Sequence, residues 1–175
     1  MIALIIIATV IIIVLLIAAM GNKEMNIGQE TTIKKPIAAV FEYVKLLRNH
    51  ENFSVWAKMD PDMKKEYKGT DGQPGFLFSW DSQKKKNVGM GEEEIKHIVN
   101  QKSIEYELRF FKPRQDQASA ELNFWPVDAQ QTRVRWSFHS RMKFPGNLMK
   151  GMISKMLTRS LAEGLANLKA VLEKA

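Results

Sequence analysis

Residues 102–112 read "KSIEYELRFFK", and the alternation in that stretch decides what kind of fold the chain adopts. Ile104, Tyr106, Leu108 and Phe110 take one set of alternate positions, and Glu105, Glu107 and Arg109 take the other. Successive side chains of a strand point to opposite faces, so this strand has one wet face and one covered face. The same grammar continues on either side. In "GFLFSWDS" (75–82), Phe76, Phe78 and Trp80 share a face. Ala118, Ala120, Leu122 and Phe124 do so in "ASAELNFWPV" (118–127), and Val134, Trp136, Phe138 and Met142 in "TRVRWSFHSRM" (132–142). Their opposite faces carry Glu121, Asn123, Arg133, Arg135, His139 and Arg141.

Two further strands, "KKEYKG" (64–69) and "NVGMGEEEIKHIV" (87–99), complete a run separated only by "TDGQP", "QKKK", "NQ", "PRQDQ" and "DAQQ". Turns this short predict an antiparallel meander. Gly69, Gly72 and Gly75 fall in the first of them and read as a hairpin turn rather than a phosphate cradle.

Something must cover the apolar face. Residues 147–175 run to the C-terminus without proline, with Leu157, Leu161, Leu165, Leu168 and Leu172 at helical spacing. Met149, Met152, Ile153 and Met156 extend that stripe upstream, and Gly164 interrupts it where a close neighbour would be needed to justify the lost helix propensity. Ahead of the meander, "ETTIKKP" (30–36) reads as a first strand. "PIAAVFEYVKLL" (36–47) reads as a helix with Ile37, Val40, Phe41, Val44 and Leu47 on one face. The predicted class is α+β: a curved antiparallel sheet of about seven strands around a long C-terminal helix.

The first twenty residues are different. From Ile2 to Met20 the only polar side chain is Thr9. Nineteen helical residues span roughly 28 Å, the thickness of a bilayer core. No Lys or Arg precedes the run, and "IAAMGN" makes a poor cleavage site, so it reads as an uncleaved transmembrane anchor rather than a signal peptide. The predicted boundaries are an anchor at 1–21, a linker at 22–27 and one domain at 28–175. Lys23, Lys34 and Lys35 follow the run, which by the lysine count leaves the domain in the cytoplasm.

Composition narrows the function. The formal charge is +7 and there are no cysteines, which excludes disulfide scaffolds, zinc–thiolate sites and a thiol nucleophile. A mean hydropathy of −0.24 despite the apolar start leaves a hydrophilic remainder. The positive charge favours anionic lipid surfaces over nucleic acid, because base-stacking aromatics would have to share the basic face and here they lie on the opposite one.

Specific words carry a resemblance. "SVWAKMDPDMKKEYKG" (54–69), "NVGMGEEEI" (87–95), "YELRFFKP" (106–113), "TRVRWSF" (132–138) and "EGLANLK" (163–169) stand in family order and spacing. Together they resemble the bacterial polyketide cyclase/dehydrase and lipid-transport-like proteins of the START-related (SRPBCC) superfamily, over about residues 28–172. The resemblance implies a helix-grip fold with a cavity between the sheet and the C-terminal helix. It also implies a membrane-anchored branch whose domain faces outward, and the reading leans that way against the lysine count: a single-pass protein of the cell membrane with an extracytoplasmic domain.

Three functions follow as expectations. The first is a tethered, non-enzymatic binding domain for a hydrophobic small molecule or lipid, lined by Trp56, Trp80, Tyr106, Phe110, Trp136, Met149, Met152 and Met156. It needs no cofactor or metal, and methionines would suit an adaptable apolar pocket. The second is a cyclase or dehydratase using Glu93, His97 and Tyr106. With Ile95 facing inward, period two places Glu93 and His97 together on the concave face, a carboxylate beside an imidazole. The third is a protein-interaction scaffold with a filled core.

Overall fold

The structure is a computed structural model that describes residues 1–20 and 23–174, without the side chains at 11 and 14–20. Helix α1 (Ile2–Met20) comes first, and strand β1 (Glu24–Ile33) follows it. Of the predicted linker at 22–27, residue 22 lies outside the described residues, and from Glu24 onward the chain is already strand, paired in register with β7 from Glu24↔Arg141. Backbone pairing overrode the polar, linker-like composition of this edge. Helix α2 (Ile37–Lys45) buries Val40, Phe41 and Val44. A 3-10 turn and two short helices, α3 (His50–Phe53) and α4 (Val55–Met59), then lead into the meander.

That meander comprises β2 (Lys64–Lys68), β3 (Leu77–Asp81), β4 (Met90–Val99), β5 (Ser103–Lys112), β6 (Asp116–Asp128) and β7 (Gln131–Arg141). With β1 it forms one seven-stranded antiparallel sheet in the order β1-β7-β6-β5-β4-β3-β2. Helix α5 (Lys150–Lys174) closes the chain. The helix-grip α+β fold is therefore as expected.

The alternation in the sequence is what the core uses. Ile104, Tyr106, Ala118, Ala120, Leu122, Phe124, Val134 and Trp136 are all buried on the inner face, and Leu161, Leu165, Leu168 and Leu172 of α5 meet them. Polar ties hold the far end of α5 in place. Asn167 donates to the Phe53 carbonyl at 3.1 Å, and the Lys34 amide donates to Glu173 at 2.7 Å. At Gly164 a Cβ would lie 2.9 Å from the Trp136 ring, so the missing side chain is what lets α5 seat on the sheet.

Gly91 has a sharper steric reason. A Cβ there would stand 2.6 Å from the Arg109 carbonyl oxygen on β5 and 2.6 Å from the Trp80 ring on β3. The first obstacle is backbone and cannot swing away. We expect Gly91→Ala to lose about 2 kcal/mol in urea unfolding, with an altered near-ultraviolet signal from Trp80. An unchanged midpoint would show that β4 and β5 sit further apart than described.

In α1, every described side chain from Ile2 to Ile13 is exposed, and the Thr9 hydroxyl donates to the Ile5 carbonyl at 2.9 Å. Among the described residues no helix is long and apolar enough to cross a membrane, and the described side chains of α1 stop at Ile13.

Candidate functional site

The site is built by register across three strands. Glu93 of β4 pairs with Phe78 of β3 on one side and Leu108 of β5 on the other, so a carboxyl sits between two apolar side chains on the inner face. Ile95, two residues on, pairs with Tyr106. Around this pair runs an aromatic ladder: Tyr67 stacks on Phe78 at 5.2 Å, Phe78 meets Trp80 at 5.8 Å, and Trp80 meets Phe110 at 6.0 Å. Tyr67, Phe78, Trp80, Leu108 and Phe110 are only half-buried. The inner face is thus packed tight beside β1, β6 and β7 and left partly uncovered beside β3, β4 and β5.

Two polar groups in this region lack partners. The Tyr106 side chain is 1% exposed, and its hydroxyl makes no hydrogen bond. Burial, and then the neighbouring Glu93 carboxylate, hold that hydroxyl well above its ordinary pKa, so it remains a donor. Burial alone pushes the Glu93 carboxyl up to about 7, with no cation nearby to oppose it. Such a group is exchanged between acid and carboxylate near neutral pH and can donate or accept. A buried polar atom without a partner costs about 1–3 kcal/mol, so removing the hydroxyl should help the empty protein. Tyr106→Phe is expected to raise its stability by about 1 kcal/mol in thermal unfolding. A loss of stability instead would mean that the hydroxyl is already satisfied.

A third polar group completes the floor, and sequence reasoning missed it. His50 of α3 is buried and its ring packs 5.5 Å from Tyr106 and 6.2 Å from Trp136, edge to face. Its Nε2–H donates to the Val44 carbonyl at 3.1 Å, since a carbonyl can only accept. Burial drops its pKa to about 4 and keeps it neutral, with Nδ1 as an acceptor. Nothing in "RNHENF" marks it, because no periodicity spans that irregular segment.

The expected Glu93–His97 pair does not form. A β-bulge between Ile95 and His97 inserts one residue and reverses the alternation, so His97 pairs with Glu105 on the outer face and stands exposed. Glu92 and Glu94 also face outward. There Arg109 reaches both of them and Glu107, at 2.9 Å in the case of Glu94. Those acids are held by that guanidinium and, at Glu94, also by Lys96 at 3.1 Å. Among the described residues no group of three His, Asp or Glu is placed to hold a metal.

The three methionines are also not where expected. Met149, Met152 and Met156 are 50%, 61% and 54% exposed. Leu157, Leu161 and Leu165 fix the helix phase, and Met152 lies five residues before Leu157, roughly 140° around the helix from it. Met152 therefore points away from the sheet. Of the eight expected lining residues, Trp56, Trp80, Tyr106, Phe110 and Trp136 do lie on the inner side. Trp56 meets Trp136 at 6.1 Å and Trp80 meets Phe110 at 6.0 Å.

A concavity of about 1270 Å³ lies on the other side of the sheet. Lys96, Glu107, Arg109 and Glu121 line it with charge, Ser119 and His139 add polar groups, and it is open to solvent. It is the saddle of a twisted sheet; Tyr106 borders it from β5, but its ring packs on the inner face against His50.

Comparison with known proteins agrees with this architecture. The family described as polyketide cyclase / dehydrase and lipid transport matches residues 25–173. No curated protein is similar enough in sequence to match. Among solved structures, a protein from Mesorhizobium loti superposes with a TM-score of 0.62 at 14% identity, covering 86% of this chain and 98% of its own. The Zhui aromatase/cyclase from Streptomyces sp. R1128 does so with 0.60 at 14%, covering 86% and 94%. A protein from Thermobifida fusca gives 0.58 at 15%, covering 85% and 93%. At such identities the likeness shows a shared fold.

Proposed function

The chain belongs to the polyketide cyclase/dehydrase and lipid transport family, and on that footing we propose that it is a membrane-tethered domain that binds a hydrophobic small molecule or lipid on the inner sheet face. The observation that carries this reading is the buried Tyr106 hydroxyl without a partner, beside an unpaired Glu93 carboxyl, under a half-buried aromatic ladder. An apolar ligand that carries one carbonyl or hydroxyl would satisfy the polar pair and cover the rings. It binds because the aromatic surface leaves water and the stranded polar atoms gain partners.

The anchor supplies the rest of the account. A molecule of this kind partitions into the bilayer, and a domain held at that surface meets it at high local concentration. The tether in this reading rests on the sequence from Ile2 to Met20, where Thr9 is the only polar side chain and its hydroxyl donates to the Ile5 carbonyl. The domain lies on the extracytoplasmic side in this reading, which protease treatment of intact cells checks: digestion supports it, and protection until lysis reverses it.

A cyclase-type reaction is the second reading, and the Glu93–Tyr106 pair favours it. A carboxyl near neutral pH next to a phenol can move a proton to and from an enolisable carbonyl, with the neutral His50 ring as a further acceptor. His97 has no part in it. Native mass spectrometry of full-length protein extracted in mild detergent separates the outcomes. A retained apolar molecule supports binding, a retained molecule that turns over supports the enzyme, and a bare chain under every extraction condition favours a scaffold with a filled core.

A further inference from the structure

From Lys143 to Ala162 the chain holds no Asp or Glu, while Lys143, Lys150, Lys155 and Arg159 all fall within it. The same twenty residues hold five large apolar side chains that stand open to solvent. Phe144, Leu148, Met149, Met152 and Met156 are between 45% and 61% exposed. Leu148, Met152 and Met156 are spaced by four, and Met149 by three from Met152, so they form one ridge across the 3-10 turn Gly146–Met149 and the first turns of α5. The next large apolar residues along the helix, Leu161, Leu165 and Leu168, are buried in the core. One end of α5 is thus core, and the other carries a half-exposed apolar ridge whose own segment brings cations and no acid.

The position of this ridge in the chain narrows what covers it. The amide of Met142, two residues before Phe144, donates to the carbonyl of Lys23 at 2.9 Å. Lys23 is the third residue past the end of α1. The ridge therefore begins at the point where the apolar N-terminal segment joins the domain. We infer that the ridge formed by Phe144, Leu148, Met149, Met152 and Met156 docks into the interface of an anionic bilayer, with Lys143, Lys155 and Arg159 reaching lipid headgroups. A helix face of this composition buries its apolar side chains at the headgroup boundary, and the basic residues add attraction to anionic lipid. A second copy of the chain is a poorer occupant, because two such ridges would bring their cations together.

This inference shares the membrane with the tethered reading above but stands on a different part of the molecule. The chain has no cysteine, so single labels are clean. Full-length Met152→Cys, carrying an environment-sensitive fluorophore, is placed in bilayers of phosphatidylcholine with phosphatidylglycerol and lipid-borne quenchers. Gln130→Cys, at the exposed β6–β7 turn, serves as reference. The probe at 152 should shift to the blue and be quenched, and the probe at 130 should do neither. Phosphatidylcholine alone, or Lys143→Glu with Lys155→Glu and Arg159→Glu, should abolish both effects without releasing the protein from the bilayer. Equal emission at the two positions in anionic bilayers overturns the inference. A blue shift that follows protein concentration rather than lipid composition also overturns it, in favour of a second copy. Carbonate extraction reads the anchor separately. If α1 fails to hold the protein, quenching at 152 on added anionic vesicles still supports docking, and its absence still rejects it.

Discussion

Above pH 8, Glu93→Gln should be more stable to urea than the parent protein by about 2 kcal/mol, and near pH 5 the two should be close. The carboxyl is raised from 4.5 to about 7, so between those pH values the folded chain holds a proton that the unfolded chain has released. Stability of the parent therefore falls as pH rises through that window. The full interval of 2.5 units corresponds to about 3.4 kcal/mol, reduced here because Glu93 is partly exposed. Glutamine cannot ionise and keeps its stability above pH 7. His50 works in the opposite sense. Its pKa is lowered to about 4 in the folded chain, so its neutral ring contributes stability above pH 6.5 that is lost as pH falls toward 4. The parent should be most stable at mildly acidic pH, and Glu93→Gln should show only the acid limb. A parent that gains stability from pH 6 to pH 8 would mean that Glu93 has a cationic or hydrogen-bonding partner.

Trp136→Ala should cost about 3–5 kcal/mol, the largest single loss expected from the inner face. Trp136 is 5% exposed, and His50, Phe53 and Trp56 all pack against it edge to face. Its ring also fills the space over Gly164. Removing it opens a void between α3, α5 and the sheet at once, and no neighbour is free to collapse into it. Trp56→Ala, at the half-buried rim, should cost far less. Comparable losses for the two would show that the rim is core and that the inner face carries no opening.

The fold was legible because its strands are two-faced. Ile104, Tyr106, Leu108 and Phe110 could sit only on a covered face, and the leucines from Leu157 to Leu172 could form only a covering helix. The site was half legible. Trp56, Trp80, Tyr106, Phe110 and Trp136 follow from periodicity alone. Three things did not follow. The bulge after Ile95 turns His97 outward, and its one trace in the sequence is that Ile95 and Ile98, both packed on the core, stand three residues apart. Met152 belongs to the apolar composition of α5 but not to its inward phase, which only the leucines define. His50 comes from an irregular segment whose course is set by its neighbours.

On the proposed reading, the inner face, and not the charged saddle outside, takes an apolar ligand through Glu93 and Tyr106. Titration of full-length protein in mild detergent with a fluorescent fatty-acid-like probe tests it most directly, with Leu108→Trp as the blocking variant. Leu108 is half-buried beside Glu93, so a larger ring there would occupy the space next to that carboxyl while the outer face is untouched. The parent should show saturable uptake, Tyr106→Phe roughly five- to tenfold weaker binding, and Leu108→Trp none. Equal uptake by a folded Leu108→Trp and the parent would contradict it.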